Sequence, residues 1–542
     1  MKKLLTLMLT LCIALTMCSG ALASRGTYTS GGVEFELTDE GYPVMAEPIT
    51  VSVVTFATTP EGAGAWETPN DIVFFKNMKE KTNIDFTWEV LSSSAWSERV
   101  QLLIAGDTLP DVFLKSRFSA TQLAKYGTDG SLYNMLPNFE TYAPDFYAYM
   151  TEHDLLKYIV TNEGVYGMPY IYDSEGIRLN KLYINTEWLK NVGKEMPTSF
   201  DELHDVMVAF RDNDANGNGD ATDEIPAGFQ DMSDMLATFS NAYGLMNRGA
   251  AMGQSYYLDA DPADESGNTL RFWYADDAMK DVLRMAKQYY DEGLIPSTFF
   301  DADYNGSQWS QFIGENRYGM HDAWTSAAGD QVDNFIAMDR APSDTWNYCY
   351  GYVGTKGGLV ITKECQYPEA MMAWGNYMYT MQGAYDYFLG VEGETYTIDE
   401  DGHTQLTDWV LHNPDGLSSE QALLRYSIYS GGANPGLCTD DTFKGGETYW
   451  TSLEGNKKFD PYLVSPIWEV FPLSEEGSEI VNNTRADISA VINEYCAGFV
   501  AGRKDIDADW DEYKTRLEQA GLEDYVWAFQ EAYNSVNGLN SS

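Results

Sequence analysis

Apolar and polar residues alternate in short runs near the start of the chain, and helical patterns separate these runs. Residues 49–53 and 84–90 alternate, which predicts two strands because successive side chains of a strand point to opposite faces. Segments 70–83 and 94–105 carry helical patterns, and a short apolar run at 112–114 predicts a third strand. This strand–helix–strand order predicts a mostly parallel α/β sheet.

The pattern restarts after residue 185. Ser199 and Glu202 have the spacing of a capping box, which marks the start of a helix. The next apolar residues repeat at i, i+3, i+4 and i+7, the spacing of one helix face; they are Leu203, Val206, Met207 and Phe210. Another amphipathic helix is predicted over 276–290, and the tail 510–534 is helical with a break at Gly521.

The order of these elements predicts two α/β lobes connected by several chain crossings. A chain of 542 residues is too long for one core. Hinges are expected at 169–172 and 351–358, where loop and glycine positions can absorb backbone rotation. The predicted segments are a signal peptide (1–23), a flexible leader (24–48), lobe 1 (49–168 and 358–400), lobe 2 with an acidic loop at 212–226 (173–350), and a C-terminal region mainly in lobe 2 (401–542).

The first residues have the features of an export signal. Lys2 and Lys3 precede an apolar stretch at 4–17, and Ala21-Leu22-Ala23 is a small-residue cleavage site. A competing interpretation is a bacterial lipoprotein in which Cys18 carries the lipid, although Met17 is bulkier than the residue that normally precedes such a cysteine. Both interpretations place the mature chain outside the cytoplasm.

Composition excludes some classes of partner. The formal net charge of −48 repels nucleic acid and anionic lipid. Four cysteines follow the cleavage site, without a CxxC pair, which disfavours zinc. Disulfides and buried thiols both remain open for them; they are Cys349, Cys365, Cys438 and Cys496.

The segment "DNDANGNGDATDEIP" (212–226) concentrates hard oxygen ligands on a loop with two glycines. Calcium binds six to eight such oxygens on a tight turn, so we expect a calcium site. One register, which is similar to an EF-hand loop, starts at Asp212, and the other starts at Asp214. A solvated turn is the alternative, because Asn-Gly and Asp-rich runs form turns. A single site without histidine favours a structural metal over a catalytic one.

No motif of a known catalytic class occurs in the chain. GxSxG, HExxH and a Walker loop are all missing from the sequence. A carboxylate pair for glycoside hydrolysis carries no information, because 82 Asp and Glu residues always supply some pair. We therefore expect no enzymatic activity.

Three segments resemble a known family. These are 182–226, which contains the acidic loop, "LIAGDTLPDVF" and the tail 499–534. They are similar to the solute-binding proteins of carbohydrate ABC importers, extracellular solute-binding family 1, which includes alginate- and oligosaccharide-binding proteins. The resemblance covers most of 49–535. It implies a type II periplasmic-binding-protein-like fold, which is α/β with two hinged lobes. Such a protein closes on an oligosaccharide and docks to a permease. We expect it to be a monomer.

The resemblance also implies that the acidic loop is a structural calcium site and selects the second register. The ligands it assigns are Asp214, Asn216, Asn218, Asp220, Asp223 and Glu224. This loop has one residue more before Asp223 than the family pattern. Which of Asp220, Thr222 and Asp223 coordinates the metal therefore stays open, and so does the role of Asp212.

Aromatic and polar residues at strand ends are the candidates for sugar binding, since sugars present apolar faces and many hydroxyls. Core packing is the alternative for each aromatic side chain. Arg117 and Lys115 would suit an acidic sugar if they lie in the cleft, and are plain surface charges otherwise. The predicted set is Trp324, Asp322, Tyr172, Tyr170, Asp173, Arg117, Lys115 and Trp66.

The sequence thus predicts an extracytoplasmic oligosaccharide-binding protein of an ABC importer. The alternatives are a secreted glycoside hydrolase or lyase and a peptide-binding importer component. A dockerin-like module needs two calcium loops, and the sequence has one.

Overall fold

The structure is a computed structural model, and it describes most of the chain. The described residues are 24–56, 68–161, 164–173, 181–246, 257–300, 306–322, 331, 334–344, 346, 353, 356–415, 417, 419–428, 434–442, 454–463, 468–469 and 471–539. The predicted signal peptide, including Cys18, lies outside these ranges, and so do Trp66, Trp324 and Cys349.

Short strands supply the sheets. They are β1 (Ser24–Ser30), β2 (Val33–Thr38), β3 (Pro43–Met45), β4 (Ile49–Phe56), β5 (Ile84–Leu91), β6 (Val112–Leu114), β7 (Tyr170–Asp173), β8 (Tyr183–Asn185), β9 (Ile225–Gly228), β10 (Leu258–Ala260), β11 (Leu270–Phe272), β12 (Tyr318–His321), β13 (Phe335–Ala337), β14 (Leu359–Ile361), β15 (Tyr396–Ile398), β16 (Thr404–Leu406) and β17 (Gly436–Thr439).

Helices flank the sheets. They are α1 (Val73–Thr82), α2 (Ser93–Ala105), α3 (Ala120–Thr128), α4 (Phe139–Tyr142), α5 (Pro144–Glu152), α6 (Thr186–Val192), α7 (Phe200–Asp212), α8 (Met232–Ser240), α9 (Met279–Asp291), α10 (Gly306–Gly314), α11 (Pro368–Asn376), α12 (Met381–Phe388), α13 (Asp408–Leu411), α14 (Ser419–Leu423), α15 (Glu475–Val500), α16 (Trp510–Gln519) and α17 (Leu522–Val536). None of the described helices is long and apolar enough to cross a bilayer.

The expected flexible leader is instead a folded sheet. Strands β1, β2 and β3 pair antiparallel in that order. Phe35 and Leu37 of β2 and Met45 of β3 are each 1% exposed and pack into the core of lobe 1. Alternation within "VEFELT" supplies this apolar face, and burial of the face stabilises the strands. The prediction of a flexible segment over 24–48 is therefore wrong.

Lobe 1 is built on the sheet β14-β6-β4-β5. Strand β4 pairs in parallel with β5 along its whole length and with β6 at its end, and β14 joins antiparallel to β6. The exposed positions of β4 lie in its first half, and its last four residues are buried on both faces. The βαβ order predicted for 49–114 is thus confirmed as a parallel sheet covered by helices.

Lobe 2 is built on the sheet β13-β8-β12-β9, in which β12 and β9 run parallel. Ser199 caps α7 by accepting a hydrogen bond from the Glu202 N–H at 3.2 Å, and the predicted apolar face of this helix is buried. The Glu202 carboxylate accepts from Thr198 rather than from Ser199. The core of this lobe continues into α15, α16 and α17.

Three crossing segments lie side by side between the lobes. Strand β7 pairs in parallel with β17, and Ile171 of β7 forms an antiparallel bridge with Val353. Leu437 and Cys438 of β17 belong to the core of lobe 1, whereas Phe459 belongs to the core of lobe 2. The chain therefore returns to lobe 2 after residue 439, later than the expected boundary at 401.

The described cysteines are buried free thiols. These are Cys365, Cys438 and Cys496. Burial raises the pKa of each thiol to about 12, so they remain protonated and behave as small apolar side chains.

Candidate functional site

The chain crosses into lobe 2 before β8 and back into lobe 1 before β14. Each of these strands pairs with the last residue of a neighbouring strand. In lobe 2 the chain enters at β8, where Tyr183 pairs with His321, the last residue of β12. In lobe 1 it enters at β14, where Leu359 pairs with Leu114, the last residue of β6. Both edges carry the carboxyl ends of parallel strands, which is where open α/β sheets bind ligands. The candidate cleft therefore lies between these two edges.

The edge of lobe 1 is basic and aromatic. The Arg117 guanidinium lies 4.2 Å from the ring centroid of Phe56, the last residue of β4. Partial burial lowers the pKa of Arg117 from its ordinary value. A guanidinium that lies on an aromatic ring can still donate hydrogen bonds from its edge to a ligand.

Lys115 holds the turn next to Arg117. Its backbone adopts a positive φ of 55°, which is unusual for a residue with a side chain, and its N–H donates to the Gly358 carbonyl at 2.6 Å. The side chain is 5% exposed, so it is not a plain surface charge. Strain at a strand end of this kind is typical of ligand-binding turns.

The edge of lobe 2 is acidic. Asp322 follows β12, is 7% exposed, and its Oδ2 accepts a hydrogen bond from the Thr238 hydroxyl. Asp234, one helical turn before Thr238 on α8, lies beside Asp322, and the two carboxyl groups interact directly. Burial, followed by the repulsion between the acids, raises the pKa of Asp322 well above its usual value.

Tyr170 and Tyr172 do not form exposed platforms. Both lie on β7 and are 0% and 2% exposed, in the core of lobe 1. Their rings pack edge to face at 4.3 Å, and Tyr170 also contacts Phe388. Stacking of a sugar on them requires a free ring face, and this conformation offers none. Asp173, at the end of the same strand, is only half-buried.

Trp66 and Trp324 lie outside the described residues, so the structure assigns them no position. The other predicted binding residues lie in three places, namely the two edges of the candidate cleft and the crossing strand β7. Lys115 and Arg117 lie at one edge, Asp322 at the other, and Tyr170, Tyr172 and Asp173 on β7.

Sequence reasoning missed a buried charged cluster beside the crossings. Glu469 is 3% exposed and accepts a hydrogen bond from the Val353 N–H at 2.8 Å. Lys356, 5% exposed, donates to the Tyr158 carbonyl, and its pKa is lowered to about 7 by burial, which the charge of Glu469 opposes. Glu469 lies more than 100 positions after Val353 and Lys356, so no local pattern could have indicated the cluster.

The acidic loop is closely wound by side chain to backbone hydrogen bonds. Asp214 Oδ2 accepts from the Gly219 N–H at 2.9 Å, and the side-chain oxygens of Asn216 and Asn218 each accept from the N–H two residues later. Glu224 Oε1 accepts from the Ala215 N–H at 2.9 Å. The loop therefore winds around its own Asp and Asn oxygens from Asp214 onward.

Two carboxylate oxygens in this loop are left without a partner. Asp214 Oδ1 and Glu224 Oε2 are buried and accept no hydrogen bond within the described chain. Burial, as the largest cause, raises the pKa of Glu224. Asp212 lies before the turn and pairs with Arg211 at 2.8 Å. Orphaned buried carboxylate oxygens are what a bound cation would satisfy, and they occur in the register that starts at Asp214.

Asp223 is held between the two Asn amides of the loop. Its two oxygens accept from Asn216 Nδ2 at 3.1 Å and from Asn218 Nδ2 at 3.0 Å. Across the described ranges, no three His, Cys, Asp or Glu side chains converge as a metal site. The loop offers side-chain oxygens of Asp, Glu and Asn. The donor chemistry fits calcium and not a transition metal.

Comparison with known proteins gives concordant matches. A family model described as bacterial extracellular solute-binding protein matches residues 57–385. The fructooligosaccharide ABC transporter substrate-binding protein FusA of Streptococcus pneumoniae is 24% identical, over 96% of this chain and 97% of its own. Lipoprotein LipO of Bacillus subtilis is 25% identical, over 44% of this chain and 43% of its own.

Solved structures share the fold. FusA in complex with kestose, and an EF-hand mutant of FusA in complex with fructo-nystose, each align at a TM-score of 0.71 and 21% identity, over 90% of this chain and 100% of theirs. An HMO-binding ABC-transporter-associated solute-binding protein of Bifidobacterium longum infantis aligns at a TM-score of 0.74 and 21% identity, over 90% of this chain and 99% of its own.

These matches confirm the predicted fold class, the two-lobed type II periplasmic-binding-protein-like α/β fold. The family model spans more than half of the 542 residues. The chain therefore belongs to the bacterial extracellular solute-binding protein family.

Proposed function

We propose that this protein captures an oligosaccharide outside the cytoplasm and delivers it to the permease of an ABC importer. The observation that carries the proposal is the pair of facing sheet edges, one with Arg117 on Phe56 and the other with Asp234 and Asp322. The names of FusA and of the Bifidobacterium protein supply the ligand class, since each describes a binder of oligosaccharide or HMO ligands for an ABC transporter.

The chemistry of the two edges suits a sugar chain. Sugar hydroxyls both donate and accept hydrogen bonds, so a site that binds them needs carboxylate acceptors on one side and guanidinium or ammonium donors on the other. Asp234, with Asp322 behind it, supplies the acceptor, and Arg117 supplies the donors. Closure about the three crossing segments would bring the two sets onto one ligand and exclude water.

The same residues support binding without turnover. A retaining glycosidase needs one carboxylate on each side of the scissile bond, at about 5–5.5 Å. Here the acids of the cleft interact directly with each other on one lobe, and the opposite edge is basic. We therefore propose a binding protein and not a hydrolase or lyase.

A thermal-shift panel of neutral and acidic oligosaccharides, run together with product analysis, tests the proposal. A ligand that binds the folded state raises the melting temperature by mass action, and the sugar should be recovered unchanged. Arg117→Ala should reduce the shift, whereas Lys76→Ala, at an exposed position of α1, should leave it unchanged. A flat panel, or release of shortened sugars, would overturn the assignment.

We further propose that calcium occupies the acidic loop and braces lobe 2. Asp214, Asn216, Asn218, Asp220, Asp223 and Glu224 are the ligands we propose. Support comes from the two orphaned carboxylate oxygens and from the existence of an EF-hand in FusA, which its mutant structure names. When bound, calcium would neutralise the mutual repulsion of the carboxylates. The loop lies away from the cleft edge, so this role is structural.

A further inference from the structure

Asp234 and Asp322 form a pair of acids whose two members have different surroundings. Asp322 is 7% exposed, between the end of β12 and helix α8. Asp234 is only half-buried, in the first turn of α8 at the carboxyl end of β9. Thr238, one turn later, donates to Asp322 Oδ2, so one face of α8 holds both acids.

Within the described ranges, no positive group acts on either acid. The charge that acts on Asp234 from its own helix is that of Asp231, another acid. From β12, His321 is fully buried, and burial lowers its pKa to about 3, so it is neutral. Two ionised carboxylates cannot remain in contact at this depth without a counter-charge, so one of them keeps a proton.

The hydrogen bonds around Asp234 and Asp322 determine which of the two acids keeps the proton. Asp234 accepts a hydrogen bond from the Gln230 N–H at 3.2 Å and lies at the positive end of α8, both of which favour its ionised form. Asp322 Oδ1 is buried and accepts no hydrogen bond from the described residues. A proton on Asp322, donated to Asp234, satisfies both groups.

We propose that Asp234 is the carboxylate that receives hydroxyl groups of the bound oligosaccharide, and that Asp322 stands behind it as a protonated acid that positions it. The inference rests on the proposed function and corrects the predicted role of Asp322 from a ligand contact to a positioning residue. It also gives the site an acid limit, because burial raises the pKa of Asp234 to about 6. Below that pH Asp234 is neutral and a weaker acceptor, so affinity falls.

Calorimetric titration of the full chain with an oligosaccharide identified by the panel, between about pH 5 and about pH 8, tests the binding role. We expect Asp234→Asn to bind roughly tenfold or more weakly at neutral pH, because a hydrogen bond to a charged group is lost, and to show no acid limit. Asp322→Asn mimics the protonated acid, so it should keep the neutral affinity within about threefold and keep the acid limit. Asp205→Asn, at an exposed position of α7, is the control.

A ligand-independent measurement tests the proton on Asp322. An acid whose pKa is raised by folding loses stability as pH rises above its unfolded value. The melting temperature of Asp322→Asn minus that of the wild type should therefore grow from about pH 5 to about pH 8. A constant difference, or an Asp322→Asn variant that loses binding as Asp234→Asn does, would overturn the inference. Sugar binding unaffected by Asp234→Asn would overturn it and leave the proposed function standing.

Discussion

At the scale of single residues, the buried lysine at the crossings offers a test by pH. Burial lowers the pKa of Lys356 to about 7, against 10.5 in its ordinary state, and Glu469 opposes this shift. Between these two values the unfolded chain binds one proton more than the folded chain, so the contribution of Lys356 to stability rises with pH. It is most unfavourable below the folded pKa, where the ammonium is charged in both states.

The substitution Lys356→Met should remove this dependence of stability on pH. The melting temperature of the variant minus that of the wild type should become more negative as pH rises from about 7 to about 10, because only the wild type gains stability across that window. Lys76→Met, at an exposed position of α1, should give a flat difference. Parallel curves for Lys356→Met and the wild type would show that burial does not depress its pKa.

Residue chemistry alone could not separate binding side chains from core side chains. Tyr170 and Tyr172 were predicted as platforms from their place in a crossing, but the partners that bury them come from Phe388 and from β17, more than 200 positions later. Asp322 was predicted from its place after a strand, and it does follow β12 directly. Asp234 was missed because an acid in a first helical turn is ordinary and its neighbour Asp322 is 88 positions away.

At the scale of elements, local patterns predicted correctly the helices and strands that depend on residues close in sequence. The capped helix α7 and the parallel strands β4 and β5 follow from spacing within one or two dozen residues. The segment 24–48 was misjudged because its Gly, Thr and acidic residues outweigh its few apolar ones. Its strands are ordered by packing on lobe 1, which no local pattern reveals.

The register of the acidic loop is testable with two single variants. Asp214→Ala removes a carboxylate with an orphaned buried oxygen, whereas Asp212→Ala removes one that pairs with Arg211 outside the turn. A metal at a hundredfold excess over its Kd stabilises the folded state by about 2.7 kcal/mol. We expect calcium to raise the melting temperature of the wild type and of Asp212→Ala, relative to chelator, and to leave that of Asp214→Ala nearly unchanged. Equal calcium responses in both variants would contradict the register, and no response in the wild type would contradict the metal.

At the scale of the whole molecule, each lobe is assembled from segments that are distant in sequence. The core of lobe 1 draws on β1 to β7, on α11 and α12, and on β17, while that of lobe 2 resumes with the C-terminal helices. The alternation of helices and strands could predict two lobes, but not that β15, β16 and β17 stay with lobe 1. That choice is made by contacts with α12, which hydrophobic patterning does not encode.

The three adjacent crossings predict a hinge, and closure on ligand is its measurable consequence. A compact chain of 542 residues has a radius of gyration of about 24 Å, and an open two-lobed form exceeds this value. Saturating oligosaccharide should shrink the radius measured by small-angle X-ray scattering, since closure removes the cleft solvent and buries Asp234 and Arg117 on the ligand. Asp234→Asn at the same ligand concentration, held below its weakened Kd, should stay at the open value. A radius that does not change while calorimetry reports saturation would mean that this protein binds its sugar without moving its lobes.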